Sequence, residues 1–347
     1  MAILQDKVMN YLLGLIEQNP HNTVLPSQND LRRKFDCSTI TVRKVLEKLE
    51  ERGLIYRVQG KGSFVRRPEQ NKAQVRIFLI ISPKTDLRGD FISSLVTASR
   101  NHSYHTLFYC YDDNEAMLFY ELDRVAPQVV LWLAPSIYKH DKTLQKLRAH
   151  APHVILFNRQ YDHPSISYVS GDFASDGRAM GEKLLQHSVR EVLFVSLNMK
   201  IMYSYLRATG LSEVITAAGG NVTVIDAAEL PNFKDDVQDN PGQCEEALCG
   251  AIVGALAQKR YSAIVGAQGH LWSTIQKACS RSSIDPRNFY LGNFNAPAGN
   301  LKIDFPQIVV EQPIAAMAEE AIRLAARLLN GGSPEQMLFG SQFVGTD

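Results

Sequence analysis

Residues 25–66, LPSQNDLRRKFDCSTITVRKVLEKLEERGLIYRVQGKGSFVR, decide the reading of this chain. Ser27 followed by Asp30 has the capping-box spacing and predicts a helix over about 28–35. Ser38 is a good N-cap for a second helix, about 39–52, whose Val42, Val45, Leu46 and Leu49 form an apolar stripe. Gly53 stands where a helix ends in a C′ glycine. Apolar residues then alternate on both sides of a turn at Gln59-Gly60-Lys61-Gly62, the pattern of a β-hairpin closing at Ser63-Phe64-Val65. Upstream, Ile3, Leu4, Val8, Leu12, Leu15 and Ile16 recur at helical spacing, so residues 3–18 form a first helix that Asn19-Pro20 ends. Three helices followed by a hairpin make a winged helix-turn-helix.

Such a unit lays the N-terminal part of one helix in a DNA major groove. Arg43 is the best candidate for a base contact, because a guanidinium can bond guanine O6 and N7 together. Thr39 and Thr41 can bond phosphate or base, and Lys44 lies beside them. Ser27, Gln28 and Ser38, at the helix starts, complete the DNA-facing set, since free N–H groups there favour a phosphate. Gly60 and Gly62 allow close approach of the hairpin backbone and Lys61 supplies charge. Arg32, Arg33 and Arg57 are phosphate candidates. Charge agrees: residues 1–67 hold twelve Lys/Arg against seven Asp/Glu, although the whole chain has a net charge of only +1. A basic head on a mildly acidic body implies that the head alone meets a polyanion.

The 347 residues exceed one small core, and 45% hydrophobic with 21% charged residues is globular composition. The N-terminus lacks a signal-peptide pattern and no apolar run is long enough to cross a bilayer, so a cytoplasmic location with no membrane partner is expected. The five cysteines are scattered and read as buried free thiols. Residues 68–74 read as a linker. Beyond them, short apolar runs such as 75–81, 129–133, 154–157 and 192–196 alternate with helical patterns such as 176–187, 204–218 and 314–330. This alternation predicts an α/β body of two lobes, each a Rossmann-like parallel sheet, over 75–347. The lobes are expected at about 75–158 with 295–330, and about 159–294 with 331–347. No nucleophile elbow, metal-ligand spacing or nucleotide-binding glycine motif stands out. The expectation is therefore a binding protein, not an enzyme, with no cofactor and no metal.

The head resembles the DNA-binding domain of GntR-type bacterial regulators, above all in TVRKVLEKL at 41–49 and QGKGSFV at 59–65. Two arginines of that family's pattern are replaced, by Asn29 and Thr39, which alters the implied operator and keeps the frame. The body resembles the LacI/GalR effector domain, a periplasmic-binding-protein-like fold, through VILFNR at 154–159, YVSGDFASDGRAMGEKLL at 168–185, YLRATGL at 205–211, AIVGAQGHLW at 263–272, YLGNFN at 290–295 and VVEQPIAAMAEEA at 309–321. The combination is similar to arabinose-responsive chimeric repressors. That resemblance implies effector-binding positions at Asp90 and Phe91 in the first-strand loop, Ser136 after the third strand, Asn158 and Arg159 at an interlobe crossing, Asp172, Arg207, Gln268, Asn293 and Asn295. Asp172 has an alternative reading as a helix cap. Acids that the family uses on sugar hydroxyls fall here at Gly269 and at an asparagine or phenylalanine of YLGNFN, so the effector is a sugar, a derivative or a non-sugar metabolite. The expected whole is a homodimeric carbohydrate-responsive repressor on a palindromic double-stranded DNA operator; the alternative is a DNA-binding regulator whose body only dimerises.

Overall fold

In the computed structural model the described residues are 2–19, 22–66, 77–81, 89–111, 115–135, 141–231, 241–285, 289–295 and 305–344. The expected linker and Ser136 lie outside them. The chain divides into two compact units, Met1–Val75 with Asn114–Ala126, and Arg76–Asp113 with Pro127–Asp347. The second differs from the expected body in lacking the segment that carries helix α5 (Glu115–Val125), whose Tyr120 packs against the first unit's core.

The first unit holds α1 (Ala2–Gln18), α2 (Gln28–Phe35), α3 (Thr39–Glu51), β1 (Ile55–Val58) and β2 (Gly62–Val65). Ser27 caps α2 in a full capping box, its Oγ accepting the Asp30 N–H at 3.2 Å while Asp30 Oδ2 accepts the Ser27 N–H at 3.3 Å. Asp36 then turns the chain in the left-handed region, at φ 45°, a conformation that Asp tolerates better than most residues. Ser38 Oγ accepts the Thr41 N–H at 3.2 Å and starts α3. Leu12, Leu31, Val42, Leu46, Leu49 and Ile55 lose all solvent contact in one core. β1 and β2 pair antiparallel, Ile55 opposite Val65, and Gly60 and Gly62 turn the tip at φ 76° and 113°. One element was not legible in the sequence. Residues 22–25 run along β2, with Leu25 N–H donating to Ser63 O at 2.8 Å and Val65 N–H to Thr23 O at 2.9 Å.

The body has two six-stranded sheets. In the first, β3 (Ile77–Ile81), β4 (Thr106–Cys110), β5 (Val129–Leu133), β6 (His153–Phe157), β7 (Ser167–Gly171) and β13 (Gln336–Phe339) run in parallel in the order β13-β7-β6-β5-β3-β4. Helices α4 (Gly89–Asn101) and α11 (Ile314–Leu329) bury Phe91, Leu95, Met317 and Ile322 against one face of it. Another helix, α6 (Asp141–His150), leads into β6. The second sheet contains β8 (Glu191–Ser196), β9 (Asn221–Asp226), β10 (Ala263–Gly266), β11 (Tyr290–Phe294), β12 (Gln307–Glu311) and β14 (Gln342–Val344), in the order β14-β12-β11-β10-β8-β9, with only β14 antiparallel. Its helices are α7 (Phe173–Gln186), α8 (Met202–Ala217), α9 (Pro241–Gln258) and α10 (Trp272–Arg281). The central strands of both sheets are buried along their length, as parallel strands covered on both faces must be.

The chain passes between lobes after β7, after β12 and after β13. These points lie beyond the expected divisions at 158/159, 294/295 and 330/331, because β7 and β13 pair side by side at the edge of the first sheet. Asn158 and Arg159 therefore lie in a loop of the first lobe, not at a crossing. Asp90 and Phe91 lie in the first turn of α4 instead of a loop. Cys249 and Cys279 are buried as expected, but Cys110 is exposed on the edge strand β4. Helices α7 and α8 touch backbone to backbone: a Cβ on Gly177 would sit 2.1 Å from Arg207 O, and one on Gly210 2.1 Å from Ala174 O.

Candidate nucleic-acid interface and interlobe site

On the head, α3 buries its stripe and turns Thr39, Arg43 and Lys44 to solvent. Ser27, Arg32, Arg33, Ser38, Arg57, Gly60, Lys61 and Gly62 are exposed too, while Gln28 and Thr41 are half-buried. The hydroxyls of Ser27 and Ser38 are engaged as caps, so they hold the helix starts. Three arginines carry a carboxylate of their own unit: Arg33 Nη2 lies 2.7 Å from Asp30 Oδ1, Arg43 Nε 2.9 Å from Glu47 Oε1, and Arg57 Nη2 2.5 Å from Glu50 Oε2. Hydrogen bonds from Ser27 and Arg33 hold the Asp30 carboxyl below its ordinary range, and Arg57 does the same for Glu50. Exposed pairs of this kind contribute little, because water screens the charges and two long side chains must be ordered. They are weak enough to be exchanged for phosphates.

The interlobe region is held by amides. Asn158 and Asn295 follow β6 and β11, and both have left-handed backbones, at φ 55° and 68°. They make equivalent bonds. Asn158 N–H donates to Val169 O and Asn295 N–H to Val310 O, each at 2.8 Å. Asn158 Oδ1 accepts the Gly171 N–H at 3.5 Å, and Asn295 Oδ1 accepts the Gln312 N–H at 3.2 Å. Each asparagine thus pins a strand end where the chain changes lobe. Gln312 Nε2 also donates to Asn158 Oδ1 at 3.0 Å, and a Cβ on Gly171 would meet that nitrogen at 2.1 Å.

Next to Asn295, Phe294 supports a buried cation. The Arg207 guanidinium, 3% exposed on α8, lies 4.4 Å from the Phe294 ring centroid, 5.2 Å from Phe173 and 5.5 Å from Tyr203. Its Nη1 donates to Ala267 O at 2.9 Å, and its Nη2 lies 3.7 Å from Asp176 Oδ2. Burial pushes the Asp176 carboxyl above its ordinary value, while Arg207 and the Ser341 N–H oppose the rise. A buried ion pair is weak support for a fold, because desolvation offsets most of the Coulomb gain. Gln268 Nε2 donates to Tyr203 Oη, whereas Gln268 Oε1 and Asn293 Nδ2, both buried, have no hydrogen-bond partner among the described residues. A buried amide atom left without a partner costs about 1–3 kcal/mol.

Of the expected effector positions, Arg207, Gln268, Asn293 and Asn295 come together at the carboxyl ends of β10 and β11, where such sheets bind ligands. Asn158 joins them through Gln312. Arg159 is buried, with Nη1 donating to Asn158 O at 2.7 Å. Phe91 packs edge-on against Phe157 with 5.9 Å between centroids, which makes it part of the first lobe's core. Asp172 caps α7, its Oδ1 accepting the Ser175 N–H at 3.0 Å. Residues not anticipated are Asp176, Phe173, Tyr203, Phe294 and Gln312. Only Asp176 left a trace, as an acid at position four of a helix whose cap had been recognised.

The family described as bacterial regulatory proteins, gntR family, matches residues 4–65. The arabinose metabolism transcriptional repressor of Geobacillus stearothermophilus is 30% identical over 66 residues, which is 19% of this chain and 18% of that protein. The matches to curated relatives span only about a fifth of those proteins' length. Over the body, a LacI transcriptional regulator from a Rhodococcus species superposes with a TM-score of 0.63 at 15% identity, covering 78% of this chain and 97% of that one. The Cra transcriptional dual regulator of Pseudomonas putida, solved in complex with fructose 1-phosphate, gives 0.62 at 18% identity, covering 78% and 99%. These structural likenesses establish the fold. The chain carries a gntR-type helix-turn-helix domain at its N-terminus, followed by a body with the fold of LacI-type, periplasmic-binding-protein-like regulators.

Proposed function

We propose that this chain is a ligand-responsive regulator of bacterial transcription, a repressor of carbohydrate-utilisation genes that a small sugar-like effector releases from its operator. The observation that carries the reading is the exposed face of α3, with Thr39, Arg43 and Lys44 presented to solvent on a capped helix beside a basic wing. A face of this kind fits a major groove. Two heads of a homodimer read the halves of a palindrome, because a symmetric site mirrors a two-fold protein.

The effector is received between the lobes. Arg207, Gln268 and Asn293 supply planar polar groups and Phe173, Tyr203 and Phe294 supply rings, a combination suited to a hydroxyl-rich molecule. The partnerless atoms of Gln268 and Asn293 favour this reading over a body that only dimerises, since a ligand would satisfy them. Closure of the lobes turns on the strand ends that Asn158, Asn295 and Gln312 hold, and it changes the spacing of the two heads. A thermal-shift panel of sugars, sugar phosphates and sugar acids tests the pocket. A ligand at one hundred times its Kd adds about 2.7 kcal/mol, and the same compound should weaken operator binding. A body that shifts with no compound, on a head that still binds DNA, supports the dimerisation-only alternative.

A further inference from the structure

Ile40 is 68% exposed in the first turn of α3. Ile40, Arg43, Lys44 and Glu47 stand at i, i+3, i+4 and i+7, so they share the face opposite the buried stripe of Val42, Val45, Leu46 and Leu49. A single exposed apolar residue is ordinary on a soluble protein. The register is what distinguishes this one, because it places a branched alkyl group among the side chains that would face DNA. The free head gains little from it. A β-branched residue is a mediocre helix former, the capping is done by Ser38 Oγ, and the core of this unit does not include Ile40.

The first turn of a groove-bound helix meets base edges. The apolar group presented there is the C5-methyl of thymine. Resting on the DNA-binding reading above, we propose that Ile40 is a specificity-determining residue that packs on one thymine methyl in each half-site. It precedes Arg43 by three residues, about 4.5 Å along the helix axis, and successive bases are about 3.4 Å apart. The thymine therefore lies one or two base steps from the base that Arg43 reads. In that first turn Ile40 offers the largest exposed alkyl group, against the single methyl groups of Thr39 and of the half-buried Thr41, whose Oγ1 lies 3.0 Å from Ser38 Oγ.

The test begins with selection of duplexes from a random pool on the full-length protein. Each thymine of the enriched half-site is then replaced, one at a time, by deoxyuridine, which removes only the methyl. Wild type should lose about fourfold in affinity at one position, the value of burying a single methyl group. Ile40→Ala should bind the thymine duplex more weakly, show no further loss with deoxyuridine at that position, and keep its affinity for random-sequence DNA. Its thermal midpoint should not fall below the wild-type value, because the side chain touches no core and alanine is the better helix former. A wild-type protein indifferent to every thymine-to-deoxyuridine change overturns the inference, and so does an Ile40→Ala variant that keeps the same fourfold loss. In both cases DNA binding itself stands. Failure to enrich any sequence removes the DNA-binding reading and this inference with it.

Discussion

Arg43 begins paired: its Nε lies 2.9 Å from Glu47 Oε1, in solvent, one helical turn away. Such a pair contributes about 0.3–0.5 kcal/mol, whereas a bidentate guanine contact discriminates by about 1–3 kcal/mol, so in the proposed complex the base is the stronger partner. Arg43→Ala should weaken specific binding by about 1–3 kcal/mol, relax one base position and leave stability within about 0.5 kcal/mol. Competition binding against a set of single-base operator variants measures this. Arg207 differs because it is enclosed. Arg207→Ala should abolish the ligand response, and it should also destabilise the body by about 3–5 kcal/mol by leaving the Asp176 carboxylate buried without its counter-charge. The sign with pH follows from the raised carboxyl. A folded-state value above the unfolded one, about 3.9, means that stability is fullest at low pH and declines as pH rises through that window. Without Arg207 the rise is larger, so the deficit in a urea melt should be greater at pH 7 than at pH 4.5. Asp176→Asn in the same chain should recover part of it.

At the scale of elements, glycines separate contact from slack. Gly177 and Gly210 let α7 and α8 meet backbone to backbone, and the atom facing Gly177 is the carbonyl oxygen of Arg207 itself. Gly177→Ala should therefore cost about 1–3 kcal/mol or more and disturb the ligand response, because it pushes the turn that carries Arg207. On α9, a Cβ on Gly250 meets nothing within 4 Å. Gly250→Ala should instead raise stability by about 0.5–1 kcal/mol through helix propensity. Thermal midpoints of the two variants, with and without ligand, separate packing from propensity. Between α9 and α10, hydrogen bonds from Arg281 and Lys277 hold the Glu246 carboxyl down at about 2. Its contribution is present above the ordinary carboxylate range and fades as pH falls towards that value, and salt should weaken it.

At the scale of the molecule, the proposed function is a coupling between two bindings, and coupling is reciprocal. If effector weakens operator affinity by some factor, operator should weaken effector affinity by the same factor; titrating each in the presence of the other measures both. A repressor of this design should show a factor of about 5–150. Equal factors confirm that both titrations are at equilibrium, whereas a factor of one would mean that the effector site and the operator site are not coupled. Operator affinity should also fall steeply with salt, as the counterions of the phosphates bound by the basic head are released.

How much of this could be read from the chain depended on range. Helix caps, the i, i+3, i+4 stripe of α3 and the glycine turn of the wing are set within a few residues, so the head was legible almost to the residue. The strand–helix alternation of the body was legible for the same reason. Parallel strands have no tight turn to announce their partners, and so the crossings of the chain were placed too early and β13 went unrecognised beside β7. The partners of Arg207 were hidden likewise. Phe173, Asp176, Tyr203 and Phe294 come from three separate stretches, and only the packing of α7 and α8 against the ends of β10 and β11 brings them around one guanidinium. Local physics wrote the elements into the sequence, while long-range packing decided which of their side chains meet.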